Sequence, residues 1–285
     1  YPIYGDFLER LSEYAAVPTE NLLLTNGSDQ GIDVILRSLL ESGDEVAMVQ
    51  PGFPFFRQVA GTIGCSVVGP QFPPDFRFPH EELKDSVKRQ TRLIVVINPN
   101  NPTGSAVSLE QIEDLLKTFP EIPVLVDEAY YEFSGQTCVS LLSNYPNLVV
   151  IRTFSKALGI PGLRLGYVIA RPDFIVHLQK IRGPYDVNVI AVIAAREQLK
   201  CPEHWQKVVK HLLEESKPAL EKFFDQNQVK YYSNQTNFML VEPKDPVAAV
   251  KFLRENKILV RPMSPPISHT FRMSLRMMPD MRRFM

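Results

Sequence analysis

The 285-residue chain has three cysteines, five histidines, one tryptophan and almost no net charge, with 31 basic against 32 acidic side chains. Each shortage excludes something. Cys65, Cys138 and Cys201 are odd in number and widely spaced, which reads as buried free thiols and not as a disulfide framework or a zinc site. The histidines show no metal-ligand spacing. His204 and His211 stand two turns apart on a predicted helix, where structural use is the simpler reading. No basic tract or aromatic-basic interleaving offers a surface to nucleic acid. No apolar run approaches membrane-spanning length, and YPIYGDFLER is not built like a signal peptide. Repeats and low-complexity segments are absent. These exclusions point to a cytoplasmic enzyme without membrane or nucleic-acid partners, long enough for a sizeable core and two domains.

What the chain does have is concentrated in NLVVIRTFSKALGIPGLRLGY, residues 147–167. The β-branched run at 148–151 predicts a strand buried on both faces. It ends in Arg152, Thr153, Ser155 and Lys156, and Arg164 lies beyond a loop punctuated by Gly159, Pro161 and Gly162. Open α/β sheets bind ligands beyond such strand ends. Hydroxyls and a guanidinium fork suit a phosphate. The lysine is left for covalent work, because an amine near cations and out of water loses its proton more readily. A solvated loop with a surface lysine is the competing reading.

Other stretches repeat the pattern of an apolar run ending in polar groups. A short amphipathic helix fills 1–17, with Phe7, Leu8, Leu11 and Tyr14 on one side. A strand at 22–24 precedes TNGSDQG, where Ser28 is a plausible N-cap and the helix start offers free amides to an anion. The strand at 45–49 ends in QPGFPFF, which holds Phe53 on a rigid turn as either core or a stacking plate for a flat ligand. The strand at 93–97 runs into NPNNPTG, whose prolines and glycine fix the directions of Asn98, Asn100 and Asn101. A helix with a Ser108/Gln111 capping box covers 108–119. The strand at 122–126 ends in DEAYYEF, leaving Asp127 at a buried strand end, where a carboxylate needs a partner, and Tyr130 beyond it.

After Lys156 come another apolar run at 165–170, a helix at about 172–182 and an Ala-rich helix at 190–199. Past residue 202 the texture changes. Trp205, Val208, Val209 and Leu212 form a helical stripe kinked at Pro218. A strand at 238–242 precedes a helix with Asp245 as N-cap and Pro246 at its first position, and strands at 258–260 and 271–275 complete the chain. The strands of this unit end near Arg261 and Arg272, which either bind an acidic substrate or serve as surface charge. The expected fold is α/β. A mainly parallel sheet with helices on both faces occupies 1–202, and a smaller α+β domain occupies 203–285.

NPNNPTG, VDEAYYEF and TFSKALGIPGLRLGY, in that order and spacing, resemble the fold-type I pyridoxal-phosphate enzymes, most closely the histidinol-phosphate aminotransferases. The resemblance covers nearly the whole chain. It implies pyridoxal 5'-phosphate as cofactor, and an amino substrate and a 2-oxo acid as partners. Lys156 would hold the cofactor covalently and shuttle the substrate's proton. Asp127 would pair with the pyridinium nitrogen. Tyr130 and Asn101 would donate to the ring oxygen, Phe53 would stack on the ring, and Ser28, Asp29, Thr153, Ser155 and Arg164 would form the phosphate cup. Tyr1 matches a tyrosine that reaches the neighbouring subunit's phosphate, which implies a homodimer with shared sites. Arg261 and Arg272 match the arginines that grip the substrate's acidic end. The resemblance also implies segments before Tyr1 and after Met285, and Arg276 stands as an extra cation near the substrate end where the family has glycine. The PGLRLGY loop is shared with threonine-phosphate decarboxylases. Some transcription regulators carry a similar cofactor-sensing domain.

Overall fold

A computed structural model describes residues 3–285, and Tyr1 lies outside the described residues. Seven strands form the main sheet: β1 (Leu22–Thr25), β2 (Glu45–Met48), β3 (Ser66–Val68), β4 (Thr91–Ile97), β5 (Val124–Asp127), β6 (Leu148–Thr153) and β7 (Gly166–Ile169). Their order is β1-β7-β6-β5-β4-β2-β3. All neighbours are parallel except β7, which runs antiparallel to both β1 and β6. The carboxyl ends of β1, β2, β4, β5 and β6 therefore share one edge, and β7 begins there.

Period-2 alternation sends the sheet's side chains into two separate cores. Leu22, Leu24, Ile94, Val96, Val124, Val126, Leu148 and Val150 point to one face, where they meet the helices Gly5–Ala15, Leu109–Thr118 and Val189–Lys200. Leu23, Val46, Leu93, Val95, Leu125, Val149 and Ile151 point to the other, against Gly27–Leu39, Pro54–Ile63 and Pro172–Gln179. The register aligns Ile97, Asp127 and Ile151 across β4, β5 and β6, so the Asp127 carboxylate lies on this second face.

The C-terminal part holds a four-stranded antiparallel sheet of β8 (Lys230–Tyr232), β9 (Phe238–Glu242), β10 (Arg261–Pro262) and β11 (Phe271–Ser274), in the order β10-β11-β9-β8. Its inward residues Met239, Val241, Phe271 and Met273 join the first core. Among the described residues no helix is long and apolar enough to cross a membrane.

The capping box at Ser108 and Gln111 forms, and Asp245 caps the helix Pro246–Glu255. Several expectations need correction. Ser28 is not an N-cap. The helix begins at Gly27 after Asn26, so Ser28 sits inside the first turn. The thiols are free, but only Cys138 is buried. The strand expected at 258–260 forms instead at Arg261–Pro262, so Arg261 opens β10, and Arg272 lies within β11 and not at its end. The kink expected at Pro218 takes the form of a π-helical stretch, Leu212–Ser216, which leads into the helix Lys217–Gln226. Helix Pro54–Ile63, strand β3 and helix His80–Ser86 had no counterpart among the elements expected from sequence.

Candidate active site

A cavity of about 160 Å³ lies against the shared strand edge. Ser28, Asp29, Phe53, Asn101, Asp127, Tyr130, Thr153, Ser155, Lys156 and Arg164 all line it. These side chains come from five strand ends, brought together because each apolar run stops at the same edge of the sheet.

Asp127 is 4 % exposed and accepts one hydrogen bond, from the Ala129 backbone N–H at 3.0 Å. Burial pushes its carboxyl up to about 6; the Ala129 bond and the Lys156 ammonium pull the other way. Such a group is poised to face a cation. Lys156, on the turn after β6, has its pKa lowered, first by burial and then by the Arg272 guanidinium. Its Nζ lies 5.4 Å from the Tyr130 ring centroid. Burial pushes the Tyr130 hydroxyl up to about 12, so it remains a proton donor at neutral pH.

The opposite end of the cavity is built for an anion. Ser28 lies in the first turn of Gly27–Leu39, whose leading amides have no intrahelical acceptor. Arg164 adopts φ 55° and donates to Asp29 Oδ2 at 2.7 Å and to the Pro161 carbonyl at 3.2 Å. The Asp29 side chain thus orients the guanidinium, while its amide belongs to the helix start. Gly27 sits at φ +76°, a conformation that disfavours any side chain, and a Cβ there would also press on Arg164 Nη2. Thr153 Oγ1 accepts from the Ser155 N–H at 3.1 Å, which closes the turn that carries Lys156.

Of the three asparagines in NPNNPTG only Asn101 reaches the cavity. Asn98 is buried and bridges the Val107 backbone in both directions, and Asn100 donates to the Pro51 carbonyl and to Thr103. The loop's elaboration therefore serves to aim one amide. Phe53 is both plate and packing: it borders the cavity and touches Phe55 and Phe56 at 6.2 and 6.4 Å between centroids. Arg152, placed by sequence in the same polar cluster, falls on the other face of β6. There it forms a buried ion pair with Glu128 (2.8 Å) and stacks on Tyr131.

A second cavity, of about 390 Å³, adjoins the first, sharing Phe53, Asn101, Tyr130 and Lys156. Its far wall carries Arg261 and Arg272, which face each other directly across the β10–β11 ladder. Like charges in that relation repel, and the Arg272 pKa is lowered, by burial first and by Arg261 as well. An anion between them would relieve both. Arg276, expected as an extra cation near the substrate end, lines neither cavity and pairs with Asp280 at 3.2 Å. Arg57, which no motif in the sequence singles out, does line the outer cavity.

Residues 1–283 match the family described as aminotransferase class I and II. A histidinol-phosphate aminotransferase of Dehalococcoides mccartyi is 36 % identical over 274 residues, covering 94 % of this chain and 76 % of the relative. One from Carboxydothermus hydrogenoformans is 36 % identical over 251 residues, covering 85 % and 70 %. Among solved structures, the histidinol-phosphate aminotransferase of Sinorhizobium meliloti in complex with pyridoxal-5'-phosphate superposes with a TM-score of 0.90 at 24 % identity, covering 98 % of this chain and 78 % of that one. L-Threonine-O-3-phosphate decarboxylase of Porphyromonas gingivalis gives 0.83 at 23 % identity, covering 99 % and 87 %. At these identities the structural likeness speaks for the fold.

Proposed function

Since the chain belongs to the class I and II aminotransferases, we propose that it moves the amino group of histidinol phosphate, or of a similar amino compound with an acidic end, to a 2-oxo acid. It is a pyridoxal-phosphate-dependent transaminase. The residues fit that cofactor on their own chemistry. A buried carboxylate needing a cation, an amine of lowered pKa and an anion cup share one small cavity. That shared cavity, adjoining a pair of opposed arginines, is the observation that carries the proposal.

When bound, the cofactor supplies an electron sink for the bonds around the substrate's α-carbon. In this reading Lys156 holds it covalently and moves the proton at that carbon, a task suited to an amine whose pKa is lowered by burial and by Arg272. Asp127 keeps the ring nitrogen protonated. Tyr130 and the Asn101 amide N–H donate to the ring oxygen, and Phe53 covers one face of the ring. Ser28, the amide of Asp29, Thr153, Ser155 and Arg164 hold the phosphate. Arg261 and Arg272 bind the substrate's acidic end.

The proposal includes a large domain at 1–202, a small one at 203–285, a cytoplasmic location, and a homodimer in which Tyr1 completes the neighbouring subunit's cup. Ile181, Val189, Ile190 and Ile193 are exposed large apolar side chains, which supports an interface between copies. The test incubates the purified, cofactor-loaded protein with histidinol phosphate and 2-oxoglutarate and measures glutamate formed. Amino transfer supports the assignment. Carbon dioxide released from phosphothreonine, with no glutamate from histidinol phosphate, would replace it with the decarboxylase reading.

A further inference from the structure

The outer cavity is lined by Arg57, Arg261, Arg272 and Lys156, and by no aspartate or glutamate. Among the described residues none of the three arginines makes an ion pair with a carboxylate. Arg261 and Arg272 come from the small sheet. Arg57 comes from a different element, the helix Pro54–Ile63 beyond β2.

Its setting is built. Side chains near a helix start lean toward the N-terminus, so Arg57 is directed back over the QPGF turn that borders the cavity. No acidic residue stands three or four positions away on that helix; those positions are Phe53, Pro54, Ala60 and Gly61. Among the described residues its one polar partner is neutral: Nη2 donates to Gln50 Oε1 at 3.0 Å. Gln50 is itself held, its Nε2 on the Met48 carbonyl and its backbone paired with Pro70 and Phe72. The amide oxygen therefore faces Arg57 and anchors one nitrogen of the guanidinium, and the other donors have no partner among the described residues.

We propose that Arg57 is a third anion-binding residue of this cavity, beside Arg261 and Arg272, and that it selects an amino substrate whose distal group carries two negative charges over one carrying a single charge. Two opposed arginines suffice for a carboxylate. A third cation in the same cavity matches a phosphate monoester, with three terminal oxygens and a charge near −2 above about pH 6. This rests on the aminotransferase reading of the same cavity and adds the residue that reads charge state.

The test compares two non-reacting probes of nearly equal shape, propyl phosphate (a dianion at pH 8) and propyl sulfate (a monoanion), as competitive inhibitors of the cofactor-loaded enzyme. For the unaltered protein, propyl phosphate should bind roughly tenfold to a hundredfold more tightly, the range of one added charge-assisted contact. Arg57→Gln should weaken propyl phosphate clearly more than propyl sulfate and so remove most of that gap. Arg57→Lys, which keeps the charge and loses the fork, should restore part of it. Arg57 is exposed, so neither change threatens the fold. A gap that survives in Arg57→Gln, or equal binding of the two probes to the unaltered enzyme, overturns the proposal. Amino transfer by the unaltered enzyme, measured alongside, tests the aminotransferase reading separately.

Discussion

Asn101 accepts a hydrogen bond of 2.5 Å from Arg272 Nη1, and Asn101 lines both cavities. The amide that faces the inner cavity is thus positioned by the guanidinium that faces the outer one. With its carbonyl engaged by Arg272, the Asn101 N–H₂ has no partner among the described residues, which suits the role proposed for it at the cofactor ring. Arg272 also lies 5.0 Å from the Phe238 ring, which meets Tyr130 edge-on at 5.2 Å, so a single packed chain of groups connects the two cavities.

Arg272→Ala should therefore act on both. Loss of a charge-assisted contact to the substrate's acidic end should cost roughly 2–5 kcal/mol, raising the apparent substrate constant at least about thirtyfold. The bound cofactor should remain, because the Lys156 side chain and the phosphate cup are still present, although Lys156 loses a cation that lowers its pKa and Asn101 loses its partner. Steady-state kinetics and the absorbance of the purified variant check this, and an unchanged substrate constant would remove Arg272 from the substrate site.

Lys156 is the covalent anchor in the proposed scheme. Borohydride reduction of the loaded enzyme and peptide mass mapping should find the cofactor on the peptide containing Lys156. The modification on Lys180, or on any lysine outside the cavity, would refute the assignment and the roles built on it.

Much of this site was legible because strand ends are easy to see. Runs such as 93–97 and 122–126 stop abruptly, and the polar residues just past each stop are forced to the sheet edge. Pairings between distant segments were not legible. Asp29 and Arg164 are 135 positions apart, and nothing in either segment announces that one orients the other. Arg152 was grouped with Thr153 by adjacency, yet neighbours in a strand face opposite ways, so the two serve different cores. β10 was displaced because the apolar residues 258–260 suggested a strand, whereas the ladder pairs only Arg261 and Pro262 with β11. Arg57 was hidden inside an unrecognised helix. The available signal was an arginine without any acidic neighbour at helical spacing.

The Arg152–Glu128 pair beneath the site should be a stability element. Glu128 is fully buried; it also accepts from the Cys138 N–H and the Thr137 hydroxyl, while Arg152 donates to Thr137 and stacks 3.8 Å from the Tyr131 ring centroid. Removing one partner leaves an uncompensated charge, so Glu128→Gln or Arg152→Met should each cost about 3–5 kcal/mol. The double variant should cost less than the two single losses added together. Urea unfolding of the four proteins measures the coupling, and additive losses would show that the pair acts as two independent groups.

Asp127 gives a prediction in which activity and stability move in opposite directions. Its carboxyl stands at about 6 in the folded chain against an ordinary 3.8, chiefly because of burial. A carboxyl with a raised pKa binds its proton more tightly when folded. Without cofactor, its contribution to stability is therefore greatest below about pH 4 and is lost as pH climbs from about 4 through about 6. A rise of that size corresponds to roughly 3 kcal/mol at neutral pH. Asp127→Asn keeps an acceptor for the Ala129 N–H without the charge. The cofactor-free variant should then be more stable than the unaltered protein at pH 8, by roughly 2–3 kcal/mol, and close to it at pH 4. Glu132, pushed up to about 7 by burial, adds a slope of the same sign that both proteins share, so the comparison isolates Asp127. With cofactor the order should reverse in function, because the carboxylate is the group that keeps the ring nitrogen protonated. Turnover should fall by roughly a hundredfold to a thousandfold, the usual worth of one pre-placed electrostatic group. Urea midpoints at pH 4 and pH 8, with turnover measured on the same preparations, check both halves. A variant that is less stable at pH 8, or one that keeps more than a tenth of the activity, would mean that Asp127 is not a charge held in readiness for the cofactor.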